Sequence, residues 1–191
     1  MSSEPNLSPR ILPIPAAERD DVANELLAIA SGEGRPSRTP NLWTTLVRHP
    51  GLFRRWIPFG GKLLAGQIPA RDRELMILRT AWRCDTEYEW GQHCQIARDV
   101  GITDDELSDI ARGPDALAWD PFDATLLRAV DELHNESCIT DETWVILADR
   151  YDEKQLIELP MLVGQYHLVA FTMNSLRLEH ESGADRFPDV S

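Results

Sequence analysis

The chain has 191 residues, enough for one ordinary domain with room for an N-terminal extension. Its 42% hydrophobic and 27% charged residues are those of a folded globular protein and exclude a disordered or collagen-like chain. Nineteen Lys and Arg against 32 Asp and Glu leave a net charge of −13, a surface that repels polyanions, so no nucleic-acid partner is expected.

Taken in order, the opening, Met1 to Pro15, is Pro- and Ser-rich and reads as extended chain, with no apolar signal region. Arg19 to Ser31 then spaces Val22, Leu26, Leu27 and Ile29 or Ala30 as a short amphipathic helix, for which Gly32 and Gly34 supply a stop. Asn41 precedes Leu42, Trp43, Leu46 and Val47, a second helix ended by Pro50. A third follows with Leu52, Phe53, Trp56, Ile57, Leu63 and Leu64, expected to break near Pro58-Phe59-Gly60-Gly61. Trp43, Phe53 and Trp56 could cover the rest of the bundle or a second subunit, and spacing does not separate the two.

Arg71 to Arg83 reads as a buried helix behind Pro69, which suits a first turn. Asp85 to Val100 opens with Thr86-x-x-Glu89 in capping-box form and stops at Gly101. Thr103-x-x-Glu106 starts a short helix closed by Gly113, and Asp120-Pro121 starts a longer one with Leu126, Leu127, Val130 and Leu133. Thr140 to Tyr151 and Asp152 to about Leu178 complete the series, with Pro160 expected to kink or interrupt the last. No strand alternation occurs, so the fold is all-α, eight or nine helices, with residues 1–40 as an extension carrying one short helix and 41–191 as the main helical domain. No apolar run approaches the roughly 20 residues that span a bilayer, so no membrane is expected. The odd set Cys84, Cys94 and Cys138, without a CxxC pair, suits a reduced, cytoplasmic protein.

Reactive side chains concentrate from Arg71 to Cys94. Glu89 and His93, four apart, share a helix face, and a carboxylate beside an imidazole favours the imidazolium, which makes a proton-transfer pair. A purely structural reading competes with it, in which Glu89 caps the helix and His93 is a satisfied core histidine. Residues 1–83 carry 12 basic and 8 acidic side chains, and 84–191 carry 7 and 24, so an anion site would draw on the first half. Its basic side chains are nearly all arginine, the type suited to carboxylates. Glu89, His93, Cys94 and His134 could in principle ligate a metal, but no HExxH or paired CxxC is present and no metal is expected. Asp131 and His134 could pair across one helix face, although such a helix is more usually a solvated surface. Neither GxGxxG nor GxxxxGK[ST] occurs.

The string Arg71-Asp72-Arg73-Glu74-Leu75, the run from Glu87 through His93, and Ala97-x-x-x-Gly101 resemble the carboxymuconolactone decarboxylase family, which is related to the AhpD-type alkylhydroperoxidases. Asp131 to His134, Gly164-Gln165-Tyr166 and Asn174 extend the resemblance over about residues 42–178. It implies an AhpD-like helical bundle, a homo-oligomer with sites near subunit contacts, and no metal or organic cofactor. Glu74 and His93 stand at the family's motif glutamate and histidine. The redox branch carries a Cys-x-x-Cys, where this chain has Thr86 and Glu89, which disfavours a disulfide reductase.

The resemblance implies His93 as the catalytic proton donor with Glu74, the motif glutamate, or Glu89, its neighbour by helical spacing, as the catalytic relay, the sequence leaving open which of the two pairs with it; Arg71 or Arg73 would hold the carboxylate of a small-molecule substrate, and Tyr88 and Trp90 would line the pocket. The expected chemistry is cofactor-free decarboxylation or isomerisation of a lactone or aromatic-derived acid. Two other readings stand beside it: a thiol peroxidase working through Cys94 or Cys84, and a non-catalytic oligomeric binding module.

Overall fold

A computed structural model describes residues 8–31, 39–117 and 119–190. The stop at Gly32 and Gly34 lies outside the described residues. Among those residues the chain is all-helical: a short 3-10 turn at Ala16–Glu18, then α1 (Asp21–Ser31), α2 (Asn41–Leu46), α3 (Pro50–Leu64), α4 (Ala70–Arg83), α5 (Glu87–Asp99), α6 (Asp104–Arg112), α7 (Pro121–Glu136), α8 (Asp141–Arg150) and α9 (Glu153–Leu176).

Local chemistry explains most boundaries. Thr103 and Glu106 form the expected capping box of α6, and Gly113 ends it with φ +108°, a conformation that glycine adopts without the Cβ penalty. Asp120 accepts from the amides of Phe122 and Asp123 to start α7, and Thr140 accepts from Thr143 to start α8. Asp152 and Gln155 form a second capping box on α9.

One expectation about proline is corrected, and of the kink or interruption expected at Pro160 the interruption does not occur. The third helix does not break at Pro58-Phe59-Gly60-Gly61, and α9 runs on through Pro160. Pro58 is exposed and Pro160 half-buried, and each stands inside a helix whose apolar face is held by packing on its neighbours. That tertiary support outweighs the roughly 3 kcal/mol an interior proline costs. The expected Thr86/Glu89 capping box is also absent, since Thr86 makes no side-chain cap bond and its hydroxyl instead donates to the Cys84 carbonyl.

The core is built around α4, which packs on α5, α6, α7 and α9. Leu75, Met76, Ile77 and Leu78 are all fully buried, so every face of this helix is covered. By length and composition α9 could cross a membrane, a feature the interruptions at Glu158, Pro160 and Gln165 hid in the sequence. In the fold it is a core helix with Leu159, Leu162, Val163, Val169, Ala170 and Met173 buried. Helices α1, α2 and α3 close a smaller apolar cluster of Ala23, Leu26, Leu27, Val47 and Phe53 with Trp43 and Trp56. Those aromatics therefore pack within the chain. The segment before α1 is tied down by hydrogen bonds from Arg10 N to Leu176 O and from Ile14 N to Thr44 O, both 2.9 Å.

Candidate active site

Helices α4 and α5 are joined by a tight turn in which Asp85 takes φ +51°, folding α5 back along α4. That return brings His93, on the second turn of α5, against Glu74 near the start of α4. His93 Nδ1 lies 2.6 Å from Glu74 Oε2, and His93 Nε2 lies 3.2 Å from Glu89 Oε1 one helical turn away. Arg73 Nε donates to the other oxygen of Glu74 at 3.1 Å, and its Nη1 donates to the Leu64 carbonyl at 2.7 Å. All three members are buried, Glu74 completely. Both glutamates therefore partner His93, where the sequence left them as alternatives.

Burial alone would push the His93 imidazolium to a lower pKa, but the facing carboxylate of Glu74, then that of Glu89, outweighs it and raises the value to about 10. Burial likewise penalises the Glu74 carboxylate, yet His93 and Arg73 hold it below the usual carboxylate range. At neutral pH the ring is an imidazolium with both N–H groups engaged, so it offers no lone pair to a metal. One acceptor remains open: Glu89 Oε2 is buried and has no hydrogen-bond partner. Tyr166, from α9, stands edge-on to the His93 ring with centroids 5.2 Å apart.

The structure brings Glu74, Glu89, His93 and Arg73 together, and places the other three expected residues elsewhere. Arg71 is turned away by two carboxylates, donating to Asp123 at 2.6 Å and to Glu106. Tyr88 donates to Glu181 at 2.8 Å and accepts the Leu42 amide at 3.1 Å, which ties the start of α2 and the C-terminal segment to α5. Trp90 is a core side chain, only 1% exposed, packed on Trp82 and Phe187. Two hollows, of about 510 Å³ against Trp144–Asp149 and about 330 Å³ between α1 and α3, both lie away from the triad.

Neither Cys94 nor Cys84, the two candidate thiols, is poised for redox chemistry. Cys94 is fully buried and its thiol is pushed up to about 12, while burial raises Cys84 to about 11. The donors that might have joined Glu89 and His93 around a metal do not converge. Cys94 turns into the core, and His134, on α7, pairs with His167. Asp131 likewise does not face His134 alone, since it binds Arg79 through two 2.8 Å hydrogen bonds. The hub at Glu181, which takes Tyr88, Gln92 and the Asn41 amide, had no sequence signal, because its partners lie about 90 to 140 positions away.

Comparison with known proteins gives a family model and solved structures. The model of the Carboxymuconolactone decarboxylase family matches residues 50–132, from α3 into α7, and so contains the whole triad. No curated protein matches the chain. A peroxidase-related protein with an alkylhydroperoxidase AhpD core from Ralstonia eutropha JMP134 is 17% identical, covers 90% of this chain and 93% of its own, and has a TM-score of 0.74. An uncharacterized peroxidase-related protein from Silicibacter sp. TM1040 is 11% identical over 88% of this chain and 90% of its own, with a TM-score of 0.73. The debrominase Bmp8 in complex with 2,3,4-tribromopyrrole is 13% identical over 90% of this chain and 91% of its own, with a TM-score of 0.68. At these identities the likeness shows the fold, which is AhpD-like.

Proposed function

We propose, from the match of residues 50–132 to the model of the Carboxymuconolactone decarboxylase family, that the chain is a homo-oligomeric enzyme of cofactor-free proton-transfer chemistry, a decarboxylase or isomerase of a small lactone or aromatic-derived carboxylic acid. The observation that carries this reading is a buried imidazolium held between two carboxylates, one of which keeps an unsatisfied oxygen, Glu89 Oε2. A buried acceptor with no partner carries a desolvation cost of roughly 1–3 kcal/mol, which a substrate proton or hydroxyl would relieve.

In the decarboxylation, the bond from the substrate carbon to its carboxylate breaks, CO₂ leaves, and the electron pair moves into the conjugated lactone carbonyl as a dienolate. The proton that quenches it travels from His93 Nε2 to Glu89 Oε1 and, once the carboxyl group turns about its Cγ–Cδ bond, from that same oxygen to the substrate carbon. The imidazole left behind is reprotonated from water. Glu74 keeps the ring in register through Nδ1, and Arg73 keeps Glu74 in place. Two carboxylates and two cations make the cluster formally neutral, so an anionic substrate meets no net repulsion. Because His93 and Glu89 are 6% and 4% exposed, substrate entry requires the layer over them, including Tyr166, to shift.

The thiol-peroxidase reading has no support from either candidate thiol, both of which burial leaves protonated at neutral pH. The test is an NMR assay in D₂O with a panel of small lactone acids and β-keto acids, following CO₂ loss and deuterium uptake at carbon. Wild type is expected to turn over at least one member. Glu89→Gln and His93→Ala should each fall by roughly 10²–10⁴-fold, the usual contribution of a general acid or base. Undiminished rates in both variants would end the proton-transfer reading.

A further inference from the structure

About 15 Å along α4 from Glu74, at the helix's C-terminal end, three more reactive side chains meet that the proton relay does not use. Cys84 closes α4, His134 lies in the last turns of α7, and His167 sits in the middle of α9. His134 Nδ1 is 2.9 Å from His167 Nε2 and 4.0 Å from Cys84 Sγ. One ligand atom from each of the three lies within 4.8 Å of the others. From this convergence we propose a transition-metal site, with Cys84, His134 and His167 as three ligands of a Zn²⁺-like dication and solvent as the fourth.

The geometry is close to what such an ion requires. With Zn–N bonds of about 2.0–2.1 Å and a Zn–S bond of about 2.3 Å, tetrahedral angles put N and N roughly 3.3 Å apart and N and S roughly 3.6 Å apart. The His134–His167 and His134–Cys84 separations of 2.9 and 4.0 Å differ from these by less than half an ångström, and His167 and Cys84 present ligand atoms within 4.8 Å of each other. The three helices are already packed on one another, so the ligands stand on rigid elements.

The surrounding bonds prepare the donors. His167 Nδ1–H donates to the Val163 carbonyl at 2.8 Å, which leaves the Nε2 lone pair facing the cluster, the usual arrangement behind a metal-bound histidine. Asn174 Nδ2 donates to the Cys84 carbonyl at 2.8 Å, and the Cys84 amide donates to Thr80 O at 2.9 Å, so the backbone that aims the thiol is fixed.

Balance is simple. The thiol releases one proton on becoming a thiolate, and the His134 proton moves from Nδ1 to Nε2 to free the lone pair that faces the ion. All three side chains are half-buried, which leaves a fourth position open to water. One thiolate and two imidazoles suit Zn²⁺, Co²⁺ or Cu²⁺ and exclude Mg²⁺ and Ca²⁺, which take oxygen ligands.

The site is independent of the proton relay, and its test uses no substrate. Untagged, metal-stripped protein is titrated with Co²⁺, followed by absorbance, and then with Zn²⁺. Wild type is expected to take up one equivalent, showing tetrahedral Co²⁺ bands in the visible and a thiolate-to-cobalt band in the near ultraviolet, both erased by Zn²⁺. Cys84→Ser should lose the thiolate band, and His167→Gln should weaken binding by more than the roughly 10–100-fold that removing a mere supporting residue costs. Cys138→Ser should take up Co²⁺ as wild type does. Circular dichroism establishes that each variant is folded, and His167→Gln alone decides if Cys84→Ser is not. A wild type without the thiolate band, a band that survives in Cys84→Ser, or His167→Gln binding like wild type would overturn the proposal.

Discussion

Two carboxylates on one imidazole change what a histidine does with pH. An isolated histidine loses its proton near pH 6.5, whereas His93 holds it to about 10. A group whose folded pKa is raised stabilises the fold fully below its unfolded pKa, and that contribution is lost as pH rises through the folded value. Between about pH 6.5 and 10 the native state therefore binds one proton more than the unfolded chain, and stability from this group falls by up to about 1.4 kcal/mol per pH unit. Chemical denaturation of wild type and His93→Gln across this window should show their difference narrowing as pH rises. A constant gap would mean that His93 is not protonated in the fold. Glu74 works in the opposite sense: its lowered pKa stabilises above the unfolded carboxylate value, and that contribution is lost as pH falls through the folded value. Glu74→Gln removes the carboxylate 2.6 Å from Nδ1, so it should move the basic limb of the pH–rate profile from near 10 toward the ordinary histidine range. A limb that stays put would assign the shift to Glu89 instead.

At the scale of elements, glycines on two helices make opposite predictions. A Cβ on Gly91 of α5 would lie 2.7 Å from the Asp185 carbonyl and 3.2 Å from the Ala184 Cβ, where the C-terminal segment crosses the helix. That segment is held there by Arg98 on Asp185 at 2.8 and 2.9 Å and by Phe187 against Trp82 and Trp90. Gly91→Ala should destabilise by about 1–3 kcal/mol through overpacking and expose the segment to protease. Gly61 of α3 meets nothing within 4 Å, so Gly61→Ala should stabilise by roughly 0.5–1 kcal/mol through helix propensity. Urea midpoints that move in the same direction for both would contradict this packing. The sequence made the helices legible because their caps are local: Thr103 with Glu106, Asp120 with Phe122, and the glycines at 101 and 113 act within a few residues. It misled at Pro58, and at Pro160 it allowed an interruption that does not occur, because distant packing outweighs a local cost. The Glu89–His93 pair was legible from i, i+4 spacing and Glu74 from the motif. Arg71, Tyr88 and Trp90 were drawn elsewhere by Asp123, Glu181 and Phe187, partners about 50 to 100 residues away. The meeting of Cys84, His134 and His167 was hidden for the same reason.

For the whole molecule, what stands out is the apolar surface the single chain leaves uncovered. Along α9, Ile157, Met161, Leu168 and Phe171 are 63%, 47%, 51% and 62% exposed, and Gly164 lies between them with open space above it. The intervals of four, three, four and three residues trace one face of a helix, the seam on which a second helix packs. Trp144, Val145 and Ile146 add exposed apolar surface on α8, which packs beside α9. A soluble monomer rarely exposes so continuous a stripe, least of all on a helix whose other face is core. A second copy of the chain fits it, because the same regular stripe on two copies is self-complementary across a two-fold axis. Light scattering coupled to gel filtration should find wild type as a homo-oligomer, and Met161→Glu combined with Phe171→Glu should shift it toward monomer with its helical content retained. Salt should strengthen the assembly rather than dissociate it, since screening reduces repulsion between copies that each carry −13 while apolar burial is unaffected. A wild type that is monomeric at high concentration, or a double variant that assembles unchanged, would place the subunit contact elsewhere or remove it.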